Sequence, residues 1–222
     1  MKPSSKADDS SRNQRVRASY DTIAGEYAQH IYSELENKPF DRQWLNRFAD
    51  LMHGQGMVVD LGCGPGQISR YLADRGISVL GLDLSHGMLL EAQRLNSSAA
   101  LVEADMLAFP IASNQLGGIT AFYSIIHLSR DLAADAFAEM HRVLRPNGYM
   151  LVAFHLGTDV LHTSELWGHQ IDLDATFFSS EEVSRGLVRA GFKIEEVQER
   201  DPYHPDVEYQ SRRGYILATK PG

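Results

Sequence analysis

The sequence predicts an α/β protein: a doubly wound, mostly parallel sheet with helices on both faces. Three observations predict it. Short apolar runs alternate with stretches of helical periodicity from residue 57 to residue 191. The first run, Met57-Val58-Val59-Asp60-Leu61, opens directly into glycines at alternate positions, Gly62, Gly64 and Gly66. Such glycines let a strand-to-helix turn adopt positive φ and let a ligand lie against the backbone. The last two strand-like runs follow one another without a helix, which closes a parallel sheet with an antiparallel hairpin.

Residues 1–14 are polar, with Lys2, Lys6, Asp8, Asp9 and Arg12 and no apolar core. They are expected to form a disordered tail, not a signal peptide. Val16, Tyr20, Ile23, Tyr27 and Ile31 recur at helical spacing and predict a helix over 15–33. Phe40, Trp44, Leu45, Phe48 and Leu51 predict a second over 38–53. After the glycine loop, a helix runs from Ile68 to Arg75 and stops at Gly76 in the C′ position. Ser78–Leu82 is the second strand, ending at Asp83, and Ser85 caps a helix through Arg94. Strands follow at Ala100–Glu103 and Gly118–Tyr123. The helix Asp131–Leu144 is ended by the turn Arg145-Pro146-Asn147-Gly148, and Tyr149–Phe154 is the fifth strand. Residues 155–178 lack clear periodicity. Ser179-Ser180-Glu181-Glu182 is a capping box for a helix ending at Gly191. Phe192–Glu199 and Gly214–Thr219 are the last strands, and no internal repeat is present.

At 222 residues the chain is long enough for one three-layer domain. Its 43% hydrophobic and 23% charged content is ordinary for a globular protein. The net charge of −8 argues against a nucleic-acid partner, because phosphate contacts need a basic face. No apolar run reaches the ~18 residues that cross a bilayer, so no membrane partner is expected. Cys63 is the single cysteine and cannot form an internal disulfide, which fits a reducing, cytoplasmic location. Glycines flank it and no basic neighbour lowers its pKa, so its small size explains it better than a reactive thiol does.

The ligand of the loop follows from its spacing. A dinucleotide fingerprint reads G-x-G-x-x-G with a helix N-terminus aimed at a pyrophosphate. Here the spacing is G-x-G-x-G, and Pro65 removes an amide that such an anion would use. A phosphate-free ligand is favoured, and Asp60 would suit one carrying an ammonium group. Asp83, about twenty residues beyond the loop, is placed to accept two hydrogen bonds from ribose hydroxyls.

The block Met57–Gly66 resembles motif I of the class I S-adenosylmethionine-dependent methyltransferases, hh-D-h-G-C-G-x-G. The resemblance covers roughly residues 18–219 and implies a seven-stranded sheet of order 3-2-1-4-5-7-6 with strand 7 antiparallel. It implies S-adenosylmethionine as cofactor, held around Asp60, Gly62, Cys63, Gly64, Gly66 and Gln67. Asp83, Leu84 and Met88 would continue that site, Asp105 would take the adenine amino group beside Met106, and Tyr123 would follow strand four. Residues 15–53 would be cofactor-covering helices. Within them Tyr20 and Tyr27, in Y-D-x-x-A-x-x-Y, share a helix face that could attract a sulfonium by cation–π contact. Residues 155–178 would be a substrate lid.

The exit of strand four lacks both the [DNS]-P-P-[FYW] of many amine methyltransferases and the acidic ligands of the metal-dependent catechol class. No metal site is expected, since no H-E-x-x-H or comparable spacing occurs. His127 is the candidate general base, with His155 second, because a histidine pKa lies near working pH. Trp167 and His169 in the lid, with Tyr203 and Arg212 in the last hairpin, are candidate substrate contacts. The adjacent Arg212 and Arg213 could clamp a carboxylate or phosphate. The expected function is methyl transfer to an oxygen, before nitrogen, of a small molecule by a monomer or homodimer. The rivals are an NAD(P)-dependent oxidoreductase, although no tyrosine has a lysine four residues on, and a non-catalytic cofactor-binding protein of the same fold.

Overall fold

The computed structural model describes residues 6–222. Helix α1 (Lys6–Ile31) and, after a short 3₁₀ turn, α2 (Pro39–Met52) precede the sheet. The chain then alternates through β1 (Val58–Leu61), α3 (Gln67–Ala73), β2 (Val79–Asp83), α4 (His86–Leu95), β3 (Ala100–Glu103) and β4 (Leu116–Phe122). It continues through α5 (Arg130–Val143) and β5 (Leu144–His155) into a separate hairpin, β6 (Val160–Leu166) and β7 (His169–Thr176). Helix α6 (Ser180–Arg189), β8 (Lys193–Arg200) and β9 (Arg213–Thr219) complete it.

The seven-stranded sheet has the order β3-β2-β1-β4-β5-β9-β8. β1 through β5 pair in parallel, and β9 runs antiparallel to both β5 and β8. Once the extra hairpin is set aside, this is the expected order. β1 and β4 are buried at every position, as a strand covered on both faces must be. The pleat divides the core in two. Met150, Val152, Ile216 and Ala218 pack with Leu132, Phe137, Met140, Val183 and Leu187 of α5 and α6. Leu151, Ala153, Tyr215 and Leu217 pack with Trp44, Leu45, Phe48, Ile68 and Leu72 of α2 and α3.

Three expectations are corrected. Of the supposed tail, residues 1–5 lie outside the described residues, whereas residues 6–14 are the first turns of α1. Polar tertiary contacts hold this end: Arg12 donates to the His127 carbonyl at 2.6 Å and Asn13 to Asp105 at 2.5 Å. The segment Arg145–Gly148 does not separate α5 from the fifth strand. Leu144 already pairs with Leu116, and the register resumes at Gly118 with Tyr149, so the four residues bulge out with Asn147 at φ 62°. The irregular stretch 155–178 contains a regular hairpin. Its turn places Trp167 (φ 51°) and Gly168 (φ 83°) in the left-handed region, the pattern of a two-residue turn matched to strand twist. Trp167 stacks on His30 at 4.5 Å and meets Tyr27 edge-on at 5.9 Å. Those contacts offset the cost of roughly 1–2 kcal/mol of a bulky left-handed residue.

Candidate active site

The carboxyl ends of β1 through β5 open into one cavity of about 240 Å³. Strand order divides its floor into two halves. β1, β2 and β3 supply one half and β4, β5 and β9 the other, because antiparallel β9 begins where parallel β5 ends, with Arg213 opposite His155.

In the first half, Gly62 and Cys63 donate to the Leu82 carbonyl at 2.7 and 3.0 Å. Gly62 (φ 68°) admits no side chain, since a Cβ there would stand 2.4 Å from Ser124 Cβ. Gly64 N–H donates to Asp83 Oδ2 at 2.8 Å, and Ser85 N–H to its Oδ1 at 2.8 Å. Burial raises the Asp83 pKa, and these amides oppose the rise. Asp83, Leu84 and Met88 line the cavity, as do Asp105 and Met106 beyond β3. Asp105 accepts from Leu107 N–H at 2.9 Å on one oxygen and from Asn13 on the other. Burial pushes the Cys63 thiol pKa well up, which leaves it a packing residue in the wall.

Asp60 is a correction. Its carboxylate takes the hydroxyls of Ser69 at 2.6 Å and Thr120 at 3.0 Å and does not line the cavity. Burial raises its pKa to about 6. A fully buried acid so engaged fixes the strand-to-helix turn and is not open to an ammonium group. Gly66 also stays off the cavity wall, its φ of 87° starting α3. Gln67 does line the wall. Its amide donates to Glu34 at 3.1 Å, and its buried Oε1 has no partner.

Helix α1 closes the cavity from above. Tyr20 and Tyr27 line it with ring centroids 5.6 Å apart. Asp21 ties the helix to the start of α4, accepting from Ser85 Oγ at 2.6 Å and Gly87 N–H at 2.8 Å.

His127 lies in the wall with both ring nitrogens engaged. Nδ1 faces the Asp174 carbonyl of the hairpin at 3.1 Å, and Nε2 faces the Tyr20 hydroxyl at 2.6 Å. A carbonyl only accepts, so the proton resides on Nδ1 and the Nε2 lone pair accepts from Tyr20. Burial lowers the His127 pKa to about 4, which keeps the ring neutral. In this arrangement the ring joins α1, the hairpin and the exit of β4.

The second half of the floor centres on Tyr123, which adopts φ 54° and donates its hydroxyl to buried Asp41 at 3.1 Å. Left-handed backbone at a non-glycine residue concentrates at functional sites. Lys38 and Arg213 flank its ring at 5.6 and 5.5 Å. His155 stacks on Phe177 at 5.1 Å and bonds Ser211 Oγ at 2.6 Å. Burial, followed by the nearby Arg213 charge, lowers its pKa to about 3.

The four expected substrate contacts lie elsewhere. Trp167 lies in the hairpin turn and His169 opens β7 paired with Leu166, and neither lines the cavity. The Tyr203 hydroxyl accepts from Phe40 N–H at 2.9 Å, and exposed Arg212 pairs with Glu199 and Asp201. Strand alternation explains the exchange: Arg212 precedes β9 and faces outward, whereas Arg213 opens it and is buried in the wall. Sequence reasoning also missed Asn13, Glu34, Lys38 and Glu208, whose polar types gave no periodic signal. Among the described residues no cluster of three metal-ligating side chains occurs, and no helix is long and apolar enough to cross a membrane.

The likenesses to known proteins agree with this geometry. A methyltransferase-domain family model matches residues 58–148. A malonyl-[acyl-carrier protein] O-methyltransferase of Geobacter sulfurreducens is 30% identical over 215 residues, covering 87% of this chain and 76% of that protein. The protein of the same name from Enterobacter lignolyticus is 38% identical over 141 residues, covering 62% of this chain and 52% of its own. The match thus spans about half the length of that relative. In fold, a structure of DhpI in complex with SAH aligns with a TM-score of 0.71 over 94% of this chain and 97% of that one, at 18% identity. A relative that matches most of both chains, on a sheet of this order, settles the lineage: the chain belongs to the class I S-adenosylmethionine-dependent methyltransferases.

Proposed function

We propose that this protein transfers a methyl group from S-adenosylmethionine to an oxygen of a small molecule. The observation that carries the reading is a continuous cavity running from the glycine loop to the β5–β9 junction, which puts a cofactor half and an acceptor half under one cover. The residues fit the cofactor. The loop lacks the anion-binding amide spacing of a dinucleotide site, and Gln67 Oε1 and Ser124 Oγ are buried polar atoms in the wall without partners in the protein. Asp83 would hold the ribose hydroxyls, and Asp105 with Met106 the adenine. Gly62–Gly64, Gln67 and Glu34 would hold the amino-acid end, in place of Asp60. Bound there, the cofactor supplies an electrophilic methyl on a positively charged sulfur.

The chain's own residues position the reactants and exclude water. Tyr20, Tyr27 and Tyr123 surround the middle of the cavity with aromatic faces that favour a cation. The hairpin, latched by Trp167 and His127, keeps α1 closed over it. An oxygen acceptor is consistent with the O-methyltransferase relatives, and the acidic chain favours small molecules over nucleic acid. Incubation with methyl-labelled S-adenosylmethionine and panels of small acids, phenols and amines should place label on an oxygen of a small molecule. Label confined to amines, or transferred to RNA, would contradict the reading.

A further inference from the structure

Where β5 meets β9, the acceptor half of the cavity carries a buried guanidinium. The Arg213 side chain is 3% exposed and lines the wall. One terminal nitrogen donates to the carbonyl and hydroxyl of Ser211, the other to the Tyr209 carbonyl at 2.8 Å, and Nε has no partner. Glu208, at 3.6 Å, is the one carboxylate within ion-pair reach among the described residues. It is already held by Arg200 on both oxygens, at 2.5 and 3.0 Å, and by Tyr203 N–H at 2.8 Å. Lys38, also in this wall, pairs with Glu34 at 2.6 Å and reaches Glu208 at 3.6 Å. Arg213 is therefore a buried charge facing mainly neutral oxygens, with one donor to spare, a costly arrangement that an anion would relieve.

Among the described residues the same half lacks a ready proton acceptor: Glu208 is committed to Arg200 and Tyr203 N–H, and Glu34 to Lys38 and Gln67. The His127 lone pair is taken by Tyr20, and His155 is a weak base. An alcohol or phenol would need to lose a proton there; a carboxylate would not.

Building on the methyltransferase reading, we infer that Arg213 determines acceptor specificity and that the acceptor is a carboxylic acid on an apolar body, bound as its carboxylate. One carboxylate oxygen accepts from the guanidinium and the other attacks. The new bond joins that oxygen to the methyl carbon while the methyl carbon–sulfur bond breaks and its electron pair stays on sulfur. The products are a methyl ester and the neutral thioether, with no proton transferred. Tyr123, Val207 and Tyr209 give the surrounding wall its apolar and aromatic character.

The test compares benzoate with benzamide and octanoate with octanamide as stabilisers of the protein saturated with S-adenosylhomocysteine. Each carboxylate should raise the melting temperature at concentrations at least tenfold below its amide. In Arg213→Gln that advantage should vanish while the S-adenosylhomocysteine shift persists. Amides that match their acids in the wild-type protein overturn the proposal, and so does a carboxylate advantage that survives in Arg213→Gln. Should Arg213→Gln fail to fold, the wild-type comparison decides alone. No response of the wild-type protein to S-adenosylhomocysteine would instead refute the methyltransferase reading on which the proposal rests.

Discussion

Asp83→Ala is expected to weaken S-adenosylhomocysteine binding by a factor of ~10² to 10⁴ in a protein that still folds. The carboxylate sits at the end of β2 in the cavity wall, fixed by amides of Gly64 and Ser85. Each of its oxygens keeps further acceptor capacity for a ribose hydroxyl. Two hydrogen bonds to a charged acceptor, roughly 1.5–3 kcal/mol each, set that range at ~1.4 kcal/mol per tenfold. Loss of the Gly64 contact also loosens the glycine loop and adds to the effect. Calorimetric titration measures it. An unchanged affinity would remove Asp83 from the cofactor site.

Stability should fall on acidification from about pH 6.5 towards pH 4. His127 and His155 have folded pKa values lowered to about 4 and about 3 by burial, against ~6.5 when unfolded. Between those limits the unfolded state binds more protons, so stability present above pH 6.5 is lost as pH falls. At ~1.4 kcal/mol per unit, His127 alone contributes about 3 kcal/mol and His155 somewhat more. Asp60 opposes this. Its pKa is raised to about 6, so the folded state takes that proton first, and the loss from one histidine is roughly offset. Asp83, its pKa also raised by burial, opposes it in the same direction, and the two histidines leave a net destabilisation by pH 4. Urea unfolding between pH 7 and pH 4 reads it directly. His127→Asn, which keeps an amide donor for the Asp174 carbonyl, should flatten the slope. A variant as acid-sensitive as the wild type would show that His127 is not a buried neutral group.

The sheet was legible because its strands are covered on both faces and so read as plain apolar runs bounded by glycine and acidic residues. Met57–Gly66 announced its turn for the same reason: Gly62 has no room for a side chain against Ser124. The first turns of α1 were not legible. Their stabilising contacts are hydrogen bonds from Arg12 and Asn13 to residues more than ninety positions away, and polar contacts leave no periodic trace. The β6–β7 hairpin escaped because its turn uses Trp167 in a conformation that glycine or asparagine ordinarily supplies. Asp60 was read as facing a ligand because sequence shows a strand's end but not which side of the pleat its last acid occupies. The arginine pair was recognised, yet only the start of β9 decides that Arg213, not Arg212, enters the wall.

The most direct measurement is the melting temperature with S-adenosylhomocysteine and, separately, with NADH. A ligand present at ~100 times its dissociation constant adds about 2.7 kcal/mol, a shift of several degrees for a chain of this size. S-adenosylhomocysteine should give that shift and NADH none, because the loop's glycine spacing and Pro65 leave no amide cradle for a pyrophosphate. An NADH shift equal to or larger than that of S-adenosylhomocysteine would contradict the assignment.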